Sequence, residues 1–151
     1  MALRITLLSV RPGAVHHAAI EKLAVEYLER CGRSLPAQAR AFRTDVALLE
    51  FVAEEKRAGA AAFWIADLNG RLLDSVAFAD RIRSERDNGI RHLMIAIGPA
   101  DGWSDEARAV AGLRLSLGVM TLPHELAWLV LAEQIYRAST ILQGHPYHLG
   151  H

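Results

Sequence analysis

Residues 91–151 read RHLMIAIGPADGWSDEARAVAGLRLSLGVMTLPHELAWLVLAEQIYRASTILQGHPYHLGH, and this stretch decides the fold class. An apolar run over residues 93–97 stops at Gly98-Pro99-Ala100-Asp101-Gly102. A second, over residues 113–117, stops at Gly118 and again at Thr121-Leu122-Pro123-His124. Short continuous apolar runs suit strands covered on both faces, and Gly and Pro directly after them mark loops. Between the runs, Ser104-Asp105-Glu106 places a capping oxygen and two acids at the start of a short helix, where the helix dipole favours negative charge. Pro123 suits a first helical position. A long apolar helix then runs to about Leu142, and Gly144 and Pro146 end it.

The same alternation extends upstream. Residues 3–9 alternate Leu3, Ile5 and Leu7 against Arg4 and Thr6, as a strand does. After the Pro12-Gly13 turn, a helix beginning at Ala14 carries Ile20, Leu23, Ala24, Tyr27 and Leu28 at helical spacing, with Gly32 as its C-terminal cap. Residues 37–43 read as a strand. Residues 45–58 read as a helix, with Thr44 as N-cap and Gly59 as terminator. A buried strand over residues 61–66 ends in a turn at Asp67-Leu68-Asn69-Gly70. Ser75 then caps a helix with Val76, Phe78, Ala79 and Ile82 inward and Arg81, Arg83, Glu85 and Arg86 outward, stopped by Asn88-Gly89. Strands alternating with helices predict a single α/β domain over residues 1–151, built on a parallel sheet.

In such sheets ligands bind beyond the carboxyl ends of the strands. The loops 67–70, 98–102 and 118–123 all belong to that edge. The final helix is apolar on more than one stripe (Leu126, Trp128, Leu129, Val130, Leu131, Ile135, Ile141, Leu142), so one face covers the sheet and the surplus fits a partner subunit.

Composition excludes several classes. The 17 basic residues balance 17 acidic ones, which argues against a generic polyanion binder, although 15 of the 17 are Arg, the residue suited to bidentate phosphate contacts. Cys31 is the only cysteine, which rules out an intrachain disulfide and a thiolate zinc site. Residues 1–10 lack the shape of a secretory signal, and the apolar stretch at 126–131 is far short of a membrane span. The expectation is a cytoplasmic protein that does not bind membranes. The sequence contains no G-x-x-x-x-G-K-[ST] loop, no G-x-G-x-x-G fingerprint and no G-x-S-x-G elbow. His145, His148 and His151 lack a nearby acid or thiol on a rigid element, so no metal site is expected.

Among the remaining candidates, Gly98 and Gly102 allow close backbone approach to a ligand. Asp67 suits a ligand hydroxyl or amine, and equally a turn. Tyr147, flanked by His145 and His148, offers a stacking surface and titratable nitrogens beside the cleft. Residue chemistry alone reaches a small-molecule-binding α/β domain with a polar, aromatic tail.

At these loops the chain closely resembles the bacterial ribosomal large-subunit pseudouridine N3-methyltransferases of the SPOUT class, which modify the helix 69 loop of 23S rRNA. The resemblance rests on Gly70-Arg71-Leu72-Leu73-Asp74-Ser75 with Phe78-Ala79, on Ile97-Gly98 with Gly102, and on Thr121-Leu122-Pro123-His124. It continues through Glu133-Gln134-Ile135-Tyr136-Arg137-Ala138 to His145-Pro146-Tyr147-His148. It implies S-adenosylmethionine (SAM) as cofactor, a C-terminal trefoil knot, a homodimer, and 23S rRNA in the 70S ribosome, not DNA, as partner. The cofactor then rests on Ala66, Asp67 and Leu68, on Gly98, Pro99 and Gly102, and on Gly118, Val119, Met120, Thr121, Leu122 and Pro123. Arg137 and the tail from His145 through Tyr147 to His148 face the RNA, with His145 or His148 as base for the N3 proton. Two features depart from the family pattern. Gly98-Pro99 replaces a glycine pair, removing one backbone N–H, and residues 31–59 form a shorter, poorly matched region. The alternatives are a non-catalytic RNA- or ribosome-binding module with a degenerate cofactor loop, and a related methyltransferase acting on another RNA.

Overall fold

The computed structural model describes residues 3–11 and 17–150. Its strands are β1 (Arg4–Val10), β2 (Ala37–Phe42), β3 (Ala61–Leu72), β4 (His92–Ile97) and β5 (Leu113–Ser116). Its helices are α1 (Ala18–Arg30), α2 (Asp45–Ala58), α3 (Ser75–Asp87), α4 (Asp105–Val110) and α5 (His124–Gln143), followed by a 3-10 turn at His148–Gly150. One sheet in the order β2-β1-β4-β3-β5 holds all five strands, each neighbouring pair parallel.

The continuous apolar runs are explained by helices on both faces. Leu3, Ile5, Leu7, Trp64, Leu93, Ile95 and Ile97 pack with residues of α1, α3 and α5. The alternate residues Leu8, Val10, Phe63, Ile65, Met94 and Ala96 pack against Leu48 and Val52 of α2, Trp103, and Ala107 of α4. Cys31 is buried at the end of α1, and burial pushes its thiol up to about 11.

One polar network interrupts this core. His92 Nε2 lies 2.7 Å from Thr6 Oγ1, and His92 Nδ1 lies 2.8 Å from Glu55 Oε1. Burial lowers the His92 pKa and favours the neutral ring, in which Nδ1–H donates to the carboxylate and Nε2 accepts the threonine hydroxyl. Arg4 also donates to Glu55 Oε1, at 3.1 Å. The network ties β1, β4 and α2 together at the end of the sheet opposite the carboxyl edge.

Several local expectations require correction. Residues 67–70 do not end β3. The strand continues to Leu72, and its pairing with Leu115 shifts from Ala66 to Arg71 across a bulge. Asp67 Oδ1 accepts the Asn69 N–H at 3.0 Å inside that bulge, which is why the segment has the composition of a turn. Asp74, not Ser75, caps α3, accepting the Ala77 N–H at 2.8 Å. The Ser75 hydroxyl instead donates to Gln134 Oε1 at 2.6 Å. Val76 is 46% exposed rather than inward. Pro123 is the N-cap of α5 and not its first residue, and β5 stops at Ser116. The expected start of the first helix at Ala14 and the Pro12-Gly13 turn lie outside the described residues.

Candidate active site

At the carboxyl edge the central strands part. The β3–β4 register ends with Ile65 opposite Ala96, whereas β4 stays beside β1 through Ser9 and Ile97, and β3 stays beside β5. A cleft of about 500 Å³ opens at this fork, a size suited to a small organic ligand. Its walls come from the β3 bulge (Ala66, Asp67, Leu68, Asn69), the β4–α4 loop (Gly98, Pro99, Ala100, Gly102, Trp103) and the β5–α5 loop (Gly118, Met120, Thr121, Leu122, Pro123). The structure therefore brings the three loops singled out in the sequence to one place. Of the residues expected there, only Val119 falls outside the lining, and it is 88% exposed.

The walls are mostly backbone and apolar side chains. Gly98 has no room for a side chain, because a Cβ there would lie 2.6 Å from the Trp103 ring. Gly102 adopts φ +94° and donates its N–H to the Pro99 carbonyl at 3.0 Å, closing the loop. Proline lacks an N–H, but this turn uses the carbonyl of position 99, so Pro99 fits the loop. Asp67 serves as both turn former and charged group. Its Oδ2 lies 3.4 Å from Arg108 Nε and 4.0 Å from Arg114 Nη1. Trp103, Arg108, Asn69 and His124 were not singled out in the sequence as site residues. Trp103, Arg108 and His124 each depend on a partner far away in the chain, namely Ala66, Asp67 and Gly98.

His124, the first residue of α5, lines the cleft, and burial is the main cause that lowers its pKa, partly opposed by a hydrogen bond to the Gly98 carbonyl. Its Nε2 and the Trp128 Nε1 one turn later are buried without partners, while the Arg11 guanidinium lies 4.4 Å over the Trp128 ring.

The tail forms a second cluster, on α5 rather than in the cleft. Glu133 is its hub. Oε2 accepts from Arg137 Nη2 at 2.7 Å and Nε at 3.1 Å, and from the Tyr147 hydroxyl at 2.9 Å, and Gln134 donates to Oε1 at 2.8 Å. Arg137 Nη1 reaches His148 Nδ1 at 3.1 Å, and its guanidinium lies 4.8 Å over the Tyr147 ring. Burial, with Glu133 alongside, pushes the Tyr147 phenol up to about 12, so it remains a neutral donor. The hydrogen bonds to Glu133 likewise raise the Arg137 pKa.

His145 Nδ1 accepts the Tyr147 backbone N–H at 3.1 Å. In both tail histidines Nδ1 is thus engaged as an acceptor, which leaves the neutral ring's proton on Nε2. None of Arg137, His145, Tyr147 and His148 lines the cleft, so within one chain the tail is not beside it. Glu133 is nine residues along α5 from His124, roughly 14 Å at 1.5 Å per residue.

Among the described residues no helix is long and apolar enough to cross a membrane, and no three His, Cys, Asp or Glu side chains gather as metal ligands.

Residues 3–148 match the family profile described as "Predicted SPOUT methyltransferase". A protein of Koribacter versatilis called ribosomal RNA large subunit methyltransferase H is 42% identical over 139 residues, covering 92% of this chain and 94% of its own. A Sinorhizobium medicae protein of the same name is 41% identical over 140 residues, covering 83% and 88%. Among solved structures, AviRb of Streptomyces viridochromogenes, a SpoU methyltransferase in complex with AdoMet, superposes with a TM-score of 0.53 at 12% identity, covering 90% of this chain and 57% of its own. A probable methylase family protein of Haemophilus influenzae gives a TM-score of 0.55 at 12% identity, covering 98% and 69%. The two structural likenesses concern the fold.

Proposed function

Since the chain belongs to the SPOUT methyltransferase family, we propose that it transfers the methyl group of SAM to N3 of a pseudouridine in the helix 69 loop of 23S rRNA, on the assembled ribosome in the cytoplasm. The observation that carries this reading is the convergence of three loops at the β3–β4 fork. The residues present fit the cofactor. The cleft is of suitable size, its walls are largely backbone, and Gly98 is bare where the chain must come close. Bound there, SAM supplies a methyl already activated on a sulfonium, so the protein has mainly to position and to exclude water. Ala66–Leu68, the Gly98–Gly102 loop and residues 118–123 hold it through backbone, and the buried Asp67 carboxylate, held by Arg108 and the Asn69 N–H, fixes the shape of the first of these walls. The trefoil knot is part of the same proposal, as the arrangement that interleaves these segments.

The tail cluster supplies the RNA-facing chemistry. Arg137 is preorganised by Glu133 to meet a phosphate, and Tyr147 offers a ring for stacking. His148 is the better base of the two histidines. Its Nδ1 lone pair is held by Arg137 Nη1, the guanidinium nitrogen that Glu133 does not hold and that a phosphate can draw away. His145 is held by backbone. The cluster and the cleft lie apart in one chain, and a homodimer that sets the tail of one protomer against the cleft of its partner closes the gap. Val119 and Met120, 88% and 79% exposed, with Leu68, Leu72 and Leu126, give an apolar surface around the cleft for that contact.

The decisive experiment incubates the protein with SAM and 70S ribosomes from a strain lacking the modification, followed by mass spectrometry of rRNA nucleosides. N3-methylpseudouridine is expected. SAM binding without product moves the substrate to another RNA. Neither binding nor product replaces this reading with a non-catalytic RNA-binding module. In single-turnover assays His148→Ala loses rate and His145→Ala does not, and a rate unchanged from wild type with alanine at both positions would remove the histidine base.

A further inference from the structure

We infer that Trp103 is a positioning residue for the cofactor, acting as a wedge that holds the β3–β4 fork open. The inference rests on the cofactor reading above and assigns a role to a cleft residue that the sequence did not single out.

Parallel strands continue to pair unless something intervenes, because each unpaired backbone N–H and C=O seeks a partner. Pairing between β3 and β4 stops after Ile65 and Ala96, although β4 remains paired with β1 one residue further and β3 remains paired with β5. The strands therefore separate from each other without losing their outer neighbours. The Trp103 indole occupies the opening. Its Nε1–H donates to the Ala66 carbonyl at 2.8 Å, in the position where the ladder would otherwise continue. Its ring fills the space that a Gly98 side chain would need, and it meets Phe63 edge-on at a centroid distance of 6.5 Å. The residue is 7% exposed and also lines the cleft.

One side chain thus satisfies the Ala66 carbonyl and spaces that wall from the Gly98 wall. Two consequences follow for the ligand. The Ala66 carbonyl oxygen has one of its two lone pairs taken by the indole N–H, which fixes the direction of the other. The distance between the two walls is set by the thickness and tilt of the indole, which makes the ring a determinant of fit for the adenosine part of the ligand and indifferent to the transferred methyl.

The test compares wild type with Trp103→Phe and Trp64→Phe, titrating each with SAM and with S-adenosylhomocysteine by calorimetry and recording Tm. Trp64 is the control, since its indole N–H is also hydrogen-bonded, to Glu85 Oε2 at 3.0 Å, but away from the cleft. Trp103→Phe retains an aromatic ring at the fork and loses the donor. Both ligands are expected to bind roughly three- to tenfold more weakly, the range of one neutral hydrogen bond. In turnover assays the loss falls on KM for SAM rather than on kcat. Trp64→Phe lowers Tm and leaves both affinities as they were. The inference is overturned if Trp103→Phe binds both ligands like wild type, if Trp64→Phe loses as much affinity, or if only SAM is affected. A wild type that binds neither ligand refutes the cofactor reading itself, a result distinct from these three.

Discussion

Replacing Gly70 with alanine is expected to separate β3 from β5. A Cβ built on Gly70 would lie 2.7 Å from the Arg114 carbonyl carbon and oxygen and 2.8 Å from the Leu115 carbonyl carbon. All three atoms are backbone, so no side-chain rotation relieves the clash. Ordinary contact begins at 3.4 Å, and reaching it requires β3 and β5 to move apart by about 0.7 Å. Such a shift stretches neighbouring ladder hydrogen bonds of ordinary length beyond useful range. Overpacking of this kind costs about 1–3 kcal/mol, and the rigid partner places Gly70→Ala at the upper end, about 3 kcal/mol. Gly59 is the matched control. Its φ of 177° is extended backbone, and a Cβ there meets nothing within 4 Å. Gly59→Ala should be neutral or slightly stabilising through the unfolded state. Urea denaturation with comparison of midpoints and m-values reads both variants. Because Ala66, Asp67, Leu68 and Asn69 form a cleft wall within the same bulge, Gly70→Ala should also weaken SAM binding. A loss below about 0.5 kcal/mol, the scatter of ordinary surface substitutions, would refute the close-approach argument.

Three further outcomes follow from the geometry. Burial, reinforced by Arg4, lowers the His92 pKa, so the unfolded chain takes up its proton more readily than the folded one. The stabilisation is complete above about pH 6.5, the unfolded value, and is lost as pH falls through the folded value. His92→Gln should therefore flatten the pH dependence of urea midpoints below about pH 6.5, and an unchanged slope would count against the assignment. Glu133→Gln removes the charge that orients Arg137 and Tyr147. The Tyr147 phenol should titrate closer to its ordinary value of about 10, and kcat should fall by roughly tenfold or more with SAM affinity intact, as spectrophotometric titration and calorimetry would show. Asp74→Ala removes the α3 cap and should cost about 1 kcal/mol in thermal or urea unfolding, with Ser75→Asp failing to restore it because that side chain points to Gln134.

The parts of the fold that could be read in the sequence were those governed by neighbours along the chain. The apolar runs at 93–97 and 113–117 and the caps Thr44 and Ser104 are local signals, and the structure has strands and helices there. Where the reading failed, a distant partner decided. Asp74 and Ser75 are both good capping residues, and the choice between them is made by Gln134, 59 positions away. The Asp67-Leu68-Asn69-Gly70 segment has turn composition, yet β5 pairs with Arg71 and extends the strand beyond it. Trp103 had no periodicity to mark it, because its partner is a carbonyl 37 residues earlier. The separation between tail and cleft within one chain follows from the length of α5.

The strand order also carries a kinetic consequence. The hydrogen bond between Thr6 and His92 joins β1 and β4 at the centre of the sheet across 86 positions in the chain. A contact that remote can form only after the intervening loop has been closed, an entropic cost incurred before any burial compensates it. Chains dominated by such pairings assemble slowly, and their half-formed sheets expose unpaired edges in the meantime. The fork at β3 and β4 depends on β4 being held by β1. The cleft at that fork therefore takes its shape from one of the most remote pairings in the chain, and its assembly is expected to follow closure of that loop.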